Sequence, residues 1–275
     1  MPRTGRNACE EPDAGGTSRA VTSSHPVRGA AASAASAAFE AVARARHRKP
    51  LHPRGLVVPA RVVRHGLTEP VGVAWIDEPG SDDGVARISR SAGFPGGWPD
   101  VWGLALRVDS SASPSGVADL MLATSFAGRA ARHALALRRG LRAPLTCVLP
   151  YRTLTGRLVM IGIPERSPEL PSHRNALSAH LAGHRSTLTL AAAIGESDWR
   201  PFGTVTLGGE VLGTGDGREH GNDAEADVSF EPVLNPLPGL LLPEPLASIR
   251  SRAYAGARAG RDADPATVHR LPAPH

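Results

Sequence analysis

Cysteine, tyrosine and lysine are almost missing from this 275-residue chain, which has two, two and one of them. Cys9 stands in a polar N-terminal stretch and Cys147 in an apolar segment. Two isolated thiols exclude a disulfide framework and a thiolate metal centre, so any redox chemistry must come from a cofactor. Aromatic residues make up 4% of the chain, which leaves little material for stacking on bases. No long apolar run occurs, and no membrane span is expected. The first thirty residues lack a charged region followed by an apolar one, so no secretory signal is read and a cytoplasmic location is expected. Lys49 is the sole lysine among 31 cationic residues, and acids are interspersed throughout, leaving a formal net charge of +5. So uniform an arginine bias, beside high Ala, Gly and Pro, reads as a GC-rich coding sequence rather than a basic patch. Nucleic-acid binding is not expected.

An apolar fraction of 41% suits an ordinary soluble core. Residues 1–28 are poor in hydrophobic types and read as a disordered tail, and 263–275 as a flexible C-terminal tail. Residues 29–48 are Ala-rich with a basic end, and a helix is expected there, stopped by Pro50 and Pro53. Short β-branched or alternating runs follow at 56–64, 72–77, 84–90, 101–108, 118–124, 158–163, 187–194, 204–211 and 226–230. An Arg- and Ala-rich stretch at 127–145 has a helical pattern. Eight or nine short strands separated by Gly, Pro and Asp predict an α+β protein built on an antiparallel β-barrel of about eight strands with flanking helices, spanning residues 29–262. Arg87 and Arg107 sit inside apolar strand patterns, where a guanidinium is costly unless an anion pairs with it. Something acidic must therefore lie close to the barrel.

Tyr254 stands four residues after Arg250 in a helix-like run, Arg250-Ser251-Arg252-Ala253-Tyr254, with Arg258 and Arg261 behind it. A guanidinium one turn away favours the phenolate, and a phenolate can ligate ferric iron. Leu51-His52-Pro53-Arg54-Gly55 leads straight into the first strand, Ala86-Arg87-Ile88-Ser89 lies in the next, and Asp100-Val101-Trp102-Gly103-Leu104-Ala105-Leu106-Arg107 in the third. Phe230-Glu231-Pro232, Asn235 and Pro238-Gly239 precede the tyrosine segment.

In this order, over residues 48–261, the set resembles the catalases. The tyrosine segment is similar to their proximal haem segment, Phe-Asp-Pro, Asn, Pro-Gly, Arg-x-x-x-Tyr. Residues 51–55 resemble their distal segment, residues 86–89 their Val-Arg-Phe-Ser strand, and residues 100–107 their Asp-x-x-Gly-Phe-Ala-x-Lys strand. The resemblance implies haem b as cofactor, Tyr254 as iron ligand and His52 as the distal proton acceptor. It implies Ser89 as the hydroxyl that orients His52, Arg87 and Arg261 as partners of the haem propionates with Arg258 a nearer alternative, and Arg250 as the group that keeps the phenol ionised. Hydrogen peroxide or an organic hydroperoxide is the implied small-molecule substrate, turned over by a peroxidase with weak catalase activity. A homo-oligomer stays open. The family's Trp-Asp-Leu-Val-Gly-Asn-Asn-Thr is Ala118-Asp119-Leu120-Met121-Leu122-Ala123-Thr124 here, so Ala123 falls where the distal Asn stands. A methyl group cannot bond peroxide, which also admits a non-catalytic haem or apolar-ligand binding protein; Thr124 is the residue that could partly substitute.

Other constellations carry less. His180 and His184 are four apart on an expected helix, with His173 before them, but no Glu follows His180 and a polar helix face explains them. Asp77-Glu78, Asp82-Asp83 and Asp223-Glu225-Asp227 are loop acids that leave a metal-dependent phosphoester hydrolase as a third reading. Trp98 and Trp102 flank Asp100 and read as packing residues, Trp98 with the option of a pocket mouth.

Overall fold

The structure, a computed structural model, describes residues 55–91, 98–167, 170–171, 173–212 and 230–242. The strands are β1 (Gly55–Arg64), β2 (Gly80–Arg90), β3 (Trp102–Asp109), β4 (Val117–Thr124), β5 (Leu145–Thr146), β6 (Tyr151–Thr153), β7 (Leu158–Ile163), β8 (Ser186–Ile194), β9 (Arg200–Leu207) and β10 (Leu240–Leu241). Two short helices, α1 (Ala74–Asp77) and α2 (Arg174–Gly183), lie between strands. All pairings are antiparallel, in the order β10-β6-β7-β5-β4-β3-β2-β1-β9-β8, and β8 pairs with β7 to close the ring. Both β5 and β6 pair with β7, as two pieces of one strand broken at 147–150, where Val148 takes φ 62°. Counting those pieces once, the barrel has eight staves, and closure leaves its main strands without open edges.

Alternation decides which side chains fill it. Leu56, Val58, Ala60 and Val62 of β1, Ala86 and Ile88 of β2, Leu104 and Leu106 of β3, and Leu120 and Leu122 of β4 all belong to one buried cluster. A strand places every second residue on the same face, so the residues between them face outward. Each buried Leu or Ile contributes roughly 1.5–3 kcal/mol to the fold. Trp102 is part of this core, whereas Trp98 is 67% exposed and packs little. No helix among the described residues is long and apolar enough to cross a membrane.

Three expectations are corrected. Residues 72–77 are a turn and the helix α1 rather than a strand, because the Asp77 carboxylate accepts the backbone N–H groups of Val71, Gly72 and Val73 at 2.8 Å each and folds the segment onto itself. The 127–145 stretch is irregular, with one 3-10 turn at Ala131–His133 and with bridges from Ser125 to Leu135 and from Asp100 to Arg138. Tertiary contacts override its helix propensity there. Arg132 is fully buried, donating from Nε to the Arg129 carbonyl and from Nη2 to the Ser197 carbonyl and lying 5.0 Å over the Trp199 ring. The strand placed at 204–211 runs instead at Arg200–Leu207 and stops at Gly208 and Gly209, both at φ 124°. A Cβ on Gly208 would run into the His184 carbonyl oxygen, so glycine is needed at this exit. The expected helix at 29–48 and residues 226–229 lie outside the described residues, and Phe230 is not in a strand.

His133 follows Arg132, is half-buried, and sets Nδ1 3.1 Å from the Val148 carbonyl oxygen. Burial first, and the Arg132 charge as well, hold its imidazole below the ordinary value of 6.5, with the Val148 bond opposing them. The unfolded chain therefore takes up this proton before the folded one does. Stability from this group is complete above about pH 6.5 and declines as the pH falls through that value toward the lower folded one. Urea unfolding at pH 7.5 and pH 5 will show a smaller acid loss in His133→Gln than in the wild type; equal losses would remove His133 from the account.

Candidate functional site on the outer face of β1–β4

The outward residues of the first four strands line up in rungs of Cα partners. The first is Gly55, Ser89, Gly103 and Ala123; the second is Val57, Arg87, Ala105 and Met121; the third is Pro59, Val85, Arg107 and Asp119. All three are on the face opposite the barrel core. Three motifs singled out in the sequence thus meet on one surface: the glycine after His52, the Arg87–Ser89 strand, and the strand running to Arg107.

The first rung is nearly free of side-chain bulk. A Cβ added to Gly103 would find Ser89 Oγ at 3.5 Å and the Leu122 carbonyl oxygen at 3.8 Å, which is ordinary contact, so among the described residues there is room above this backbone. Gly55 is different, since a Cβ there would lie 2.5 Å from Arg87 Nε. The Arg87 side chain therefore slants from the second rung across the α-carbon of Gly55. Arg87 and Ser89 are both half-buried. Ala123 ends the rung with a methyl group. Thr124 does not stand in for an Asn on this face: it is fully buried, its Oγ1 donating to the Ala136 carbonyl at 2.7 Å and accepting the Trp102 N–H at 3.1 Å.

The third rung holds the acid that the arginines required. Arg107 donates from Nε and Nη2 to the two oxygens of Asp119, 2.7 Å each, with 11% of its side chain and none of the aspartate's exposed. The same carboxylate accepts the Glu231 backbone N–H at 2.7 Å and Asn235 Nδ2 at 3.0 Å, while the Asp119 N–H donates to the Asn235 carbonyl at 2.8 Å. The Arg107 guanidinium also lies 5.2 Å over the Phe230 ring, and Phe230 packs with Val57 and Val85. Phe230, Glu231 and Asn235 are the start of the tyrosine-bearing motif, and this latch pins them to β3 and β4. Sequence reasoning required an acid but did not identify Asp119; the available signal was its outward parity on the strand following Arg107.

His52, Arg250, Tyr254, Arg258 and Arg261 lie outside the described residues. Of the competing constellations, Asp223, Glu225 and Asp227 also lie outside the described residues, and the paired histidines and the Asp82–Asp83 acids have local partners. His180 and His184 stack at 5.2 Å at the end of α2, and His180 Nε2 lies 3.1 Å from Ser186 Oγ. Asp82 pairs with Arg64 and accepts Trp75 Nε1, and Asp83 pairs with Arg61. The nearby Asp109 carboxyl is held above its ordinary range by burial, then by the charges of Asp83 and Asp82. No three His, Cys, Asp or Glu side chains converge as a metal site among the described residues.

No family model matches the chain. A search of the curated proteins finds no match to the chain either. Solved structures are similar in fold. A bacterial catalase aligns with TM-score 0.50 and 15% identity, covering 90% of this chain and 63% of its own. Catalase A from Saccharomyces cerevisiae aligns with TM-score 0.55 and 13% identity, covering 81% and 64%. A fungal catalase aligns with TM-score 0.53 and 12% identity, covering 92% and 66%. The chain spans just under two thirds of the length of these catalases. Its closed antiparallel barrel with few helices is a catalase-like fold.

Proposed function

We propose that the protein binds haem b against the outer face of β1–β4 and acts as a peroxidase on hydrogen peroxide or organic hydroperoxides, with weak catalase activity. What carries this reading is the first rung, Gly55-Ser89-Gly103-Ala123, with Arg87 leaning over it, on a barrel of catalase-like fold. A flat macrocycle needs a wall without bulk, and its carboxylates need a guanidinium at the edge; the residues present fit both needs. When bound, haem supplies a ferric centre able to activate peroxide.

The chain's own residues have distinct parts in this proposal. Tyr254 is the iron ligand, and Arg250, four residues earlier, favours its phenolate. Arg87 binds a propionate, as does Arg261 or Arg258. His52, three residues before Gly55, holds a neutral imidazole that takes a proton from one peroxide oxygen and returns it to the departing one. The Ser89 hydroxyl fixes which imidazole nitrogen carries the proton. The assignment extends to a cytoplasmic protein acting without nucleic acid.

The second reading, a barrel that binds haem or another apolar ligand without turnover, is favoured by the methyl of Ala123. Titration with ferric haem followed by peroxide assay separates the two. A Soret band with turnover is the expected result, a band without turnover establishes the binding protein, and no band defeats both. A metal-dependent phosphoester hydrolase finds no support in Asp82 and Asp83, whose carboxylates are committed to Arg64 and Arg61.

A further inference from the structure

From Leu120 to Pro164 the chain has no acidic residue. Within that stretch, residues 126–142 hold five arginines and one histidine, and every other residue is apolar or glycine. An ordinary surface loop draws on Ser, Asn, Asp and Pro, which bond its backbone and suit water. This segment contains none of them.

The fold leaves apolar members of the segment at the surface. Phe126 is 41% exposed and Leu137 59%. Asp100 and Arg138 exchange backbone hydrogen bonds of 2.8 and 2.7 Å, which brings Trp98, two residues before Asp100 and itself 67% exposed, to the same end of the barrel. The Trp98 carbonyl accepts Arg90 Nη2 at 3.0 Å, and the Arg138 guanidinium lies 5.0 Å over the Phe126 ring. One short bridge thus gathers three exposed apolar side chains where β3 begins and β4 ends.

The charge around them has one sign. Asp100 is buried and paired with Arg90, and Arg129 is paired with Asp198. Arg138, Arg139 and Arg142 have no ion pair among the described residues, and the last two are exposed. Single exposed apolar residues are ordinary, but Trp, Phe and Leu set among uncompensated arginines are the composition that suits a bilayer interface. Aromatic rings settle at headgroup level, and each guanidinium near an anionic leaflet adds about 1 kcal/mol. An acidic protein surface would satisfy the arginines but offers the exposed rings no apolar medium. Base stacking is disfavoured, since Arg138 occupies one face of Phe126.

We propose that this surface docks the protein on an anionic lipid bilayer, with Trp98, Phe126 and Leu137 entering the headgroup layer and Arg138, Arg139 and Arg142 against lipid phosphates. The proposal does not depend on haem binding.

Trp98 is the one exposed tryptophan of the four, because Trp75 and Trp102 are buried and Trp199 is partly buried. Its fluorescence therefore reports on this surface. Titration of the full chain with vesicles of equal parts phosphatidylglycerol and phosphatidylcholine should shift the emission to the blue and shield it from acrylamide, with weaker binding as salt is added. Vesicles of phosphatidylcholine alone should bind at least roughly tenfold more weakly. Arg139→Gln should weaken binding about fivefold and Leu137→Ser roughly tenfold, with thermal midpoints unchanged. Trp98→Phe should still bind but lose the blue shift. No binding to the mixed vesicles would overturn the proposal, as would binding with unaltered Trp98 emission or with full affinity in Leu137→Ser. Binding to polyglutamate or duplex RNA with the same dependence on Arg139, and none to vesicles, would overturn the lipid assignment.

Discussion

Asp119→Ala will cost the fold about 3–5 kcal/mol, read as a lowered urea midpoint. The carboxylate is fully buried and satisfies four donors: two from Arg107, the Glu231 N–H and Asn235 Nδ2. Removing it takes away the carboxylate that grips two nitrogens of a guanidinium whose side chain is only 11% exposed, and takes the same acceptor from the Glu231 N–H and Asn235 Nδ2. Asp119→Asn should cost less, because the amide oxygen still accepts from one or two of them. The double variant Asp119→Leu with Arg107→Met should recover part of the loss, since it removes both members of a desolvated pair. A loss below about 1 kcal/mol in Asp119→Ala would mean that the latch between the barrel and residues 230–235 carries no net stability.

Ala123→Asn will raise peroxide turnover of the haem-loaded protein by about 100-fold, the scale on which one well-placed hydrogen-bond donor acts. Position 123 ends the first rung beside Gly103, and Gly103 leaves space into which a longer side chain can extend. An amide there restores a donor beside the surface assigned to His52 and Ser89, orienting peroxide while the imidazole moves its proton. The methyl now present offers no such bond, and Thr124 cannot supply one because its hydroxyl is consumed between Trp102 and Ala136. Retained haem absorbance with unchanged turnover in Ala123→Asn would show that the rung does not face the reacting atoms. Thermal melting of the variant distinguishes that outcome from a folding defect.

Much of the barrel was legible because its strands alternate. In β3, and over 86–88 of β2 and 118–122 of β4, the even-numbered residues are apolar, while Arg87, Ser89, Arg107 and Asp119 stand at odd-numbered positions, so period gives both the strand centres and the face that the motifs share. The misreadings have a common cause. Residues 127–145 contain good helix formers, but the burial of Arg132 against Trp199 and Ser197 is a contact across more than sixty positions, which no local pattern reports. Residues 72–77 look like a strand until Asp77 is seen to bind three backbone amides. The latch was half legible: Arg107 demanded an acid, but choosing Asp119 required the β3–β4 register. His52 and Tyr254 rest on sequence resemblance alone.

The most direct test of the central claim is the visible spectrum of the protein after addition of ferric haem, compared between wild type and Tyr254→Phe. The account predicts a Soret band and a phenolate-to-iron charge-transfer feature in the wild type, with the charge-transfer feature lost and haem affinity sharply lowered in the variant. Identical spectra in the two proteins, or no Soret band in either, would contradict it.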